Sequence, residues 1–321
     1  MGEPRKIRLL RKQCPGDVTV FTAAIKALHI SQPGAFLTDY HGYHPSLLEN
    51  NPYITHLEPW EGQEVDTDYG YACMRSGRPF HFLYGYVENL SKQLGVHIEL
   101  SDFRGDLYLS DAERELYPGL KPPYIVINAG SKGDITAKQW SNHRFQQVVD
   151  ALRDRFQIVQ IGGASDHHAP LTGVVNLIGQ TTIRQLIQIV HRSSLVITGN
   201  SFAMHLAAAV PGTETNPDRQ KIRPCIVLAG QREQRQWFHY PGHTALGTEG
   251  RLPCTFSTDA DALPIGPGEA CWVNKTVLIP GDRDRNICKS AIQDEKGQWL
   301  PQCLHRITAR HVIEAAEAYL T

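Results

Sequence analysis

The sequence predicts an α/β protein built from parallel sheets. Three observations carry that expectation. Apolar runs of strand length alternate with amphipathic helical periods, the runs end in glycine-bearing loops, and one proline-rich break divides the pattern in two. A chain of 321 residues is long enough for two hydrophobic cores.

In the first half, residues 6–10 read as a buried strand and Cys14-Pro15-Gly16-Asp17 as a turn. Residues 18–29 form a helical period with Val20, Ala23, Ala24 and Leu28 on its apolar face. Residues 35–38 and 54–57 are short candidate strands, 79–94 an aromatic-rich helix and 106–109 a further strand. Residues 117–123 hold three prolines and a glycine, which admit neither helix nor central strand, so the domain boundary is expected there.

The second half is more regular. Strand 124–127 leads through a polar loop to a helix that Ser141 caps and that runs to about residue 154. Strand 157–161 ends in Gly162-Gly163, strand 174–177 is followed by Gly179-Gln180-Thr181-Thr182 and helix 183–191, and strand 195–198 ends in Gly199-Asn200-Ser201 before helix 202–210. With strand 225–228 this makes five strands interleaved with helices, a Rossmann-like pattern. From about residue 252 the chain is irregular and bears cysteines, then closes with the amphipathic helix 308–320. The expected divisions are an N-terminal domain 1–118, a Rossmann-like domain 119–250, a cysteine-bearing segment 251–307 and a C-terminal helix 308–321.

Composition narrows the function classes. Hydrophobic residues make up 41% and charged residues 20%, which fits an ordered soluble chain. Thirty-two Lys and Arg against 33 Asp and Glu leave a net charge of -1, so a global basic field for nucleic acid is excluded. The first twelve residues lack the apolar region of a secretory signal, and the longest apolar runs fall far short of the roughly 20 residues that span a bilayer. The expectation is a cytoplasmic protein with at most peripheral membrane contact.

An open parallel sheet binds ligands at the carboxyl ends of its strands, where Asn128–Gly133, Gly162-Gly163, Gly179–Thr182 and Gly199–Ser201 fall. Neither GxGxxG nor GxxxxGK[ST] occurs, which speaks against a dinucleotide dehydrogenase and a P-loop NTPase. In the run TGNSFAMHL, Asn200, Ser201, Phe202 and Ala203 open a helix whose amides and dipole suit a diphosphate, with His205 in its first turn; a tight turn and a surface histidine is the plainer alternative. Lys138 can neutralise phosphate and Trp140 can cover a sugar or base, or both are ordinary loop residues. Gly162 and Gly163 can admit an adenine ring or only end a strand, and Asp166 can accept a ribose hydroxyl or stand as surface charge. Asp17, after Pro15-Gly16 at a strand-to-helix junction, can serve as a general base in an interdomain cleft or as a helix cap. Cys254, Cys271, Cys288 and Cys303, separated by 17, 17 and 15 residues, can fill a tetrahedral iron or zinc site or remain four independent thiols.

Together these segments resemble the bacterial heptosyltransferases. The resemblance rests on Gly16-Asp17-Val18, Lys138-x-Trp140, Ile161-Gly162-Gly163, Asn176–Gly179 with Thr181-Thr182, and Ser201–Ala208. It implies a GT-B fold, in which two Rossmann-like domains face each other across a cleft, the first for the acceptor and the second for an ADP-sugar. It also implies Asp17 as catalytic base, Lys138 as phosphate ligand, and Asn200–His205 as the diphosphate loop with its histidine. Thr181 falls within the same donor set. Asn200 stands where lipopolysaccharide heptosyltransferases commonly carry aspartate, which makes that contact neutral here. The cysteine-bearing end is similar to the branch that glycosylates autotransporter proteins, where four cysteines bind a structural iron. A single Cys254 replaces that branch's paired-cysteine start.

The resulting expectation is an inverting glycosyltransferase that moves a sugar, heptose first among the options, from an ADP-sugar to a hydroxyl of a protein, a core oligosaccharide or a small metabolite. No catalytic divalent metal is required, and homo-oligomers are compatible with the cysteine module. Two rivals remain at this point: an epimerase or hydrolase of the same fold, and a catalytically idle nucleotide-sugar-binding subunit.

Overall fold

In a computed structural model of the chain, the described residues are 2–69, 80–130, 138–166, 169–212, 222–230, 235–248, 252, 288 and 291–320. The first half contains strands β1 (Arg5–Leu10), β2 (Phe36–Tyr40) and β3 (Gln63–Asp66), joined in a parallel sheet of order β2-β1-β3. Helix α1 (Pro15–Ser31) connects β1 to β2, and α2 (Phe82–Leu94) and the short α3 (Asp111–Arg114) follow. Ile7 and Leu9 of the central strand are fully buried, as an apolar run at the middle of a sheet requires.

Two expected strands are absent here, and their amides explain why. In 54–57, Thr55 N donates to Thr38 O, but Leu57 N donates 2.9 Å to the Asp39 carboxylate, so a side chain replaces a ladder partner. In 106–109, Asp106 N donates to Thr22 Oγ1 at 2.7 Å and Leu107 N to Ala209 O at 3.2 Å, both partners lying on helices or their ends. Strand β3, in contrast, has the sequence QEVD, with Val65 as its one apolar residue; its pairing with β1 determines it more than its composition does.

The second half forms a six-stranded parallel sheet, one strand more than expected. Its strands are β4 (Tyr124–Asn128), β5 (Gln157–Gln160), β6 (Val175–Asn176), β7 (Leu195–Gly199), β8 (Cys225–Leu228) and β9 (His243–Leu246), in the order β6-β5-β4-β7-β8-β9. Helices α4 (Asn142–Leu152), α5 (Ile183–His191), α6 (Phe202–Ala209) and α7 (Arg235–Phe238) lie between them. The order reverses between β4 and β7, so the chain leaves a crevice at their carboxyl ends. Strand residues alternate between two cores: Tyr124 and Val126 face one, Ile125 and Ile127 the other.

The first core is continuous across both halves, since Phe21, Leu28 and Tyr86 share it with Val126, Val196 and Ala207. Helix α1 supplies the junction, packing on α2 and on α6. A polar fastening lies beside it. Arg184 on α5 donates through Nε to Glu113 on α3 at 2.6 Å and through its terminal nitrogens to the Tyr108 and Ser46 carbonyls at 2.8 and 3.1 Å. The C-terminal elements, hairpin β10 (Ile292–Gln293) with β11 (Trp299–Leu300), α8 (Gln302–His305) and α9 (Ala309–Leu320), close the second core, where α9 packs on α4. Among the described residues no helix is long and apolar enough to cross a membrane.

Hydrogen bonding from Arg184 holds the Glu113 carboxyl down to about 2 against an ordinary value of 4.5. A depressed carboxylate stabilises the fold above its unfolded value, and that contribution fades as pH falls from about 4.5 toward about 2. Glu113→Gln is therefore expected to lower stability to urea at pH 7, with the gap to the parent narrowing at pH 3. An unchanged gap at the two pH values would remove Glu113 from the acid response.

Candidate active site at two helix N-termini

The N-termini of α1 and α6 meet. A Cβ placed on Gly16 would lie 3.1 Å from His205 Cδ2 and 3.5 Å from Phe202 Cα, so the approach depends on the missing side chain. The N-cap residues are Cys14 and Ser201, and neither makes a side-chain cap hydrogen bond. Two positive helix ends thus converge on one place. Asp17 lies in the first turn of α1, one residue past the contact, and Arg11 Nη2 stands 3.8 Å from its carboxylate.

Arg11 is buried and held from several sides. Nη1 donates to Thr67 O at 2.6 Å, and the guanidinium lies 5.3 and 5.1 Å from the ring centres of Tyr69 and Tyr86. The basic side chains of β1 are also engaged: Arg5 donates to Leu94 O at 2.9 Å, Lys6 pairs with Glu61 and Arg8 with Glu64.

On the facing side, Thr198 and Ser201 hydroxyls are 2.8 Å apart and the Asn128 amide donates to Ser201 Oγ at 3.3 Å, which ties the ends of β4 and β7 together. Asn200 and Ala203 are buried, and Phe202 is half-buried. Gly199 packs against the Lys138 carbonyl, 3.2 Å from where a Cβ would stand. His205 Nδ1 and Tyr240 OH are 2.8 Å apart. Burial, followed by the nearby His81, Lys138 and His243, pushes the His205 imidazole well below its ordinary value. The pair leaves the other ring nitrogen, Nε2, beside the Cδ2 that approaches Gly16. This histidine offers a hydrogen bond and no charge.

The remaining predicted site residues separate into groups. Trp140 is corrected: its indole is 1% exposed, donates to Ile307 O at 2.9 Å and meets Phe145 edge-on, so it belongs to the second core and not to a sugar- or base-covering surface. Gly162 and Gly163 end β5 and meet the loop of Thr181, because Gly179 N donates to Gly162 O at 2.8 Å. Gly179 has φ +66°, and a Cβ there would fall 2.7 Å from that of Ala164. Asp166 accepts from Gly163 N at 2.7 Å, so one carboxylate oxygen serves the loop itself. Thr182 caps α5, with half-buried Thr181 just before it. Cys288 and Cys303 are buried, whereas Cys254 and Cys271 lie outside the described residues. Among the described residues no three His, Cys, Asp or Glu side chains are grouped to hold a metal ion.

Sequence reasoning missed Tyr240, which joins His205, His81 and His243 across the two halves with ring centres 5.8, 4.8 and 5.4 Å away. Burial above all pushes both His81 and His243 down to about 3. No periodicity marks these residues; only their density of aromatic and imidazole rings hints at a shared environment.

The fold is GT-B, and the resemblance to heptosyltransferases is borne out. Residues 85–213 match the model of glycosyltransferase family 9 (heptosyltransferase). Lipopolysaccharide heptosyltransferase 3 of Escherichia coli K12 is 29% identical over 240 residues, 65% of this chain and 64% of that protein. The match therefore spans less than two thirds of that relative's length. Among solved structures, E. coli ADP-heptose lipopolysaccharide heptosyltransferase II superposes with a TM-score of 0.57 at 16% identity, covering 98% of both chains. TibC, an iron-containing dodecameric glycosyltransferase of enterotoxigenic E. coli, gives 0.63 at 14% identity over 100% of this chain and 77% of its own. TibC has also been solved with ADP-D-β-D-heptose. At these identities the likeness is one of fold.

Because burial above all, with the nearby Lys138 charge adding to it, depresses its basicity, His205 is expected to remain neutral from pH 6 to pH 8. NMR of the labelled ring should give a titration midpoint below the ordinary 6.5. A midpoint at or above 6.5 would contradict the assigned environment.

Proposed function

We propose that this protein is an inverting glycosyltransferase that moves heptose from an ADP-sugar to an acceptor hydroxyl. The observation that carries the reading is the meeting of α1 and α6 at Gly16, which sets Asp17 beside a cradle for a leaving diphosphate. Residues 1–118 then form the acceptor side and 119–250 the donor side. The donor class draws support from the ADP-heptose named for two of the fold neighbours.

In this mechanism the acceptor oxygen attacks the anomeric carbon of the donor while its proton passes to the Asp17 carboxylate. The bond from that carbon to the diphosphate oxygen breaks, and ADP leaves with the electron pair. Arg11 holds Asp17 in place from behind. The charge developing on the leaving group meets the amides of Ser201 to Ala203, the Lys138 ammonium and the neutral His205 ring. Lys138 supplies the full positive charge among these groups, since the imidazole contributes only a hydrogen bond. These groups do the work assigned elsewhere to a divalent cation, and no such ion enters the steps. Gly162, Gly163, Asp166 and Thr181 line the crevice on the β5–β6 side, suited to the nucleoside. Acceptors with protein, oligosaccharide or metabolite hydroxyls all fit this chemistry.

Cys254, Cys271, Cys288 and Cys303 would hold a structural iron or zinc. Cys288 and Cys303 are both buried, compatible with ligands shielded from solvent. A tetrathiolate ion at these four positions would cross-link the C-terminal part of the chain. The iron and the dodecameric assembly of TibC make metal content and oligomeric state linked questions for this chain.

Asp17→Asn is expected to lower turnover of ADP-heptose by about 100-fold or more while leaving ADP binding nearly intact. In the same samples, ADP should raise the unfolding temperature more than UDP or GDP at equal concentration. Near-normal turnover would eliminate Asp17 as the base; preference for UDP would eliminate the ADP-sugar reading; donor loss without acceptor would point to an epimerase or hydrolase. For the cysteines, elemental analysis should find about one iron or zinc per chain, and Cys288→Ser should lose both metal and thermal stability. A variant that keeps its metal would show the thiols to be only packed side chains.

A further inference from the structure

We propose that the hairpin Asp294–Gln298, outside the crevice, holds Lys138 in position and thereby sets donor affinity. The inference rests on the donor reading given above, since it acts through Lys138.

The stretch from Lys138 to Ser141 is bounded on one side by the crevice and on the other by the C-terminal segment. Toward the crevice, the Lys138 carbonyl packs on Gly199 and its charge acts on His205. Away from it, every residue from Trp140 to Asn142 is fastened to the C-terminal segment. Trp140 Nε1 donates to Ile307 O at 2.9 Å, and Gln298 Nε2 donates to Trp140 O at 3.3 Å. Ser141 Oγ donates to Asp294 Oδ2 at 2.5 Å, and Asn142 N donates to Gln298 Oε1 at 3.0 Å. Gln298 thus uses both ends of its amide on the backbone either side of Ser141.

The hairpin is itself rigid at the clamp. The second oxygen of Asp294 accepts from Lys296 N at 2.9 Å and Gln298 N at 2.8 Å, so the same carboxylate shapes the turn and takes the Ser141 hydroxyl. Burial raises the Asp294 carboxyl, and the bonds from Ser141, Gln298 and Lys296 outweigh it, leaving the group below its usual range. Arg144 adds three further ties, to His305 O at 2.5 Å, to Ile307 O at 2.9 Å and to Glu295 at 2.7 Å.

A lysine side chain loses much rotamer freedom when it binds phosphate, and an anchored backbone reduces what must still be ordered. Small misplacements of a charged ligand are felt strongly. A single residue, Gln139, separates Lys138 from the clamp at Trp140, too few to absorb a shift. Hence the sequence between Cys288 and Cys303, rather than being only a metal-binding appendage, reaches the donor site through the backbone it fastens.

The test is a double-mutant cycle read by calorimetric ADP binding, with unfolding temperature as a control. Gln298→Ala is expected to weaken ADP about five-fold in the parent and by less than about two-fold in a Lys138→Ala background, as expected for residues acting in series. Asp294→Asn provides a second entry should Gln298→Ala fold poorly, with the same dependence on Lys138. Equal losses in both backgrounds, or no loss in the parent, would overturn the clamp while leaving Lys138 as a ligand. If Lys138→Ala itself binds ADP like the parent, the reading of Lys138 fails and the clamp fails with it.

Discussion

The contact between Gly16 and the first turn of α6 is the constraint from which most of the site follows. Helix N-termini repel like ends of dipoles, so bringing two of them together is unfavourable unless something else holds the surfaces or an anion fills the gap. Here the apolar lengths of the helices supply the hold: α1 buries Val18, Val20, Phe21, Ala24 and Ile25 in a core that also contains Ala203, Leu206 and Val210. The packing then leaves the polar ends facing one another at the sheet's carboxyl edge. That arrangement is poised for a negatively charged group, and the Asp17 carboxylate is one such charge already in place.

Charge is distributed unevenly around this point. Arg11 is enclosed by two tyrosine rings and directed at Asp17, while on the other side the positive charge is carried by Lys138. The histidines between them are buried and uncharged, and they meet around Tyr240. A neutral imidazole hydrogen-bonded to a buried phenol costs less to desolvate than an imidazolium. The cluster also joins the halves, because His81 opens α2 while His205, Tyr240 and His243 belong to the second half. The ring contact of His81 with Tyr240 and the bonds of Arg184 to Glu113 and Tyr108 thus tie the halves together beside their shared apolar core.

The C-terminal elements return to the second sheet and close its other face. Leu304, Ile307, Val312 and Ala316 join Ile125, Phe145 and Ile197, so the core of the second half is incomplete without residues more than 100 positions away in the chain. Trp140 is the clearest consequence. Its indole fills that core, and its nitrogen finds a partner 167 residues further on.

Much of the architecture was legible because it depends on local pattern. Helix 183–191 and strand 225–228 coincide with their expected bounds, and the glycine-ended strands lead to the loops at the carboxyl edge. The two polar-rich strands were not legible: QEVD and HTAL carry little apolar signal and become strands through the neighbour they pair with. Conversely, 54–57 and 106–109 have strand-like composition, but their amides bond to a carboxylate, a threonine hydroxyl and a helix-end carbonyl. At the site, the sequence alone determined which residue types were present: an aspartate after a strand, a lysine in a polar loop, a glycine-asparagine-serine turn and a histidine on a helix. Only the tertiary structure decided that Gly16 meets His205, that Arg11 stands behind Asp17, that Tyr240 holds the imidazole and that Trp140 is core. The physical reason is that periodicity records which face of a segment is apolar, whereas hydrogen bonds and charge pairs between distant segments are settled by how those faces pack.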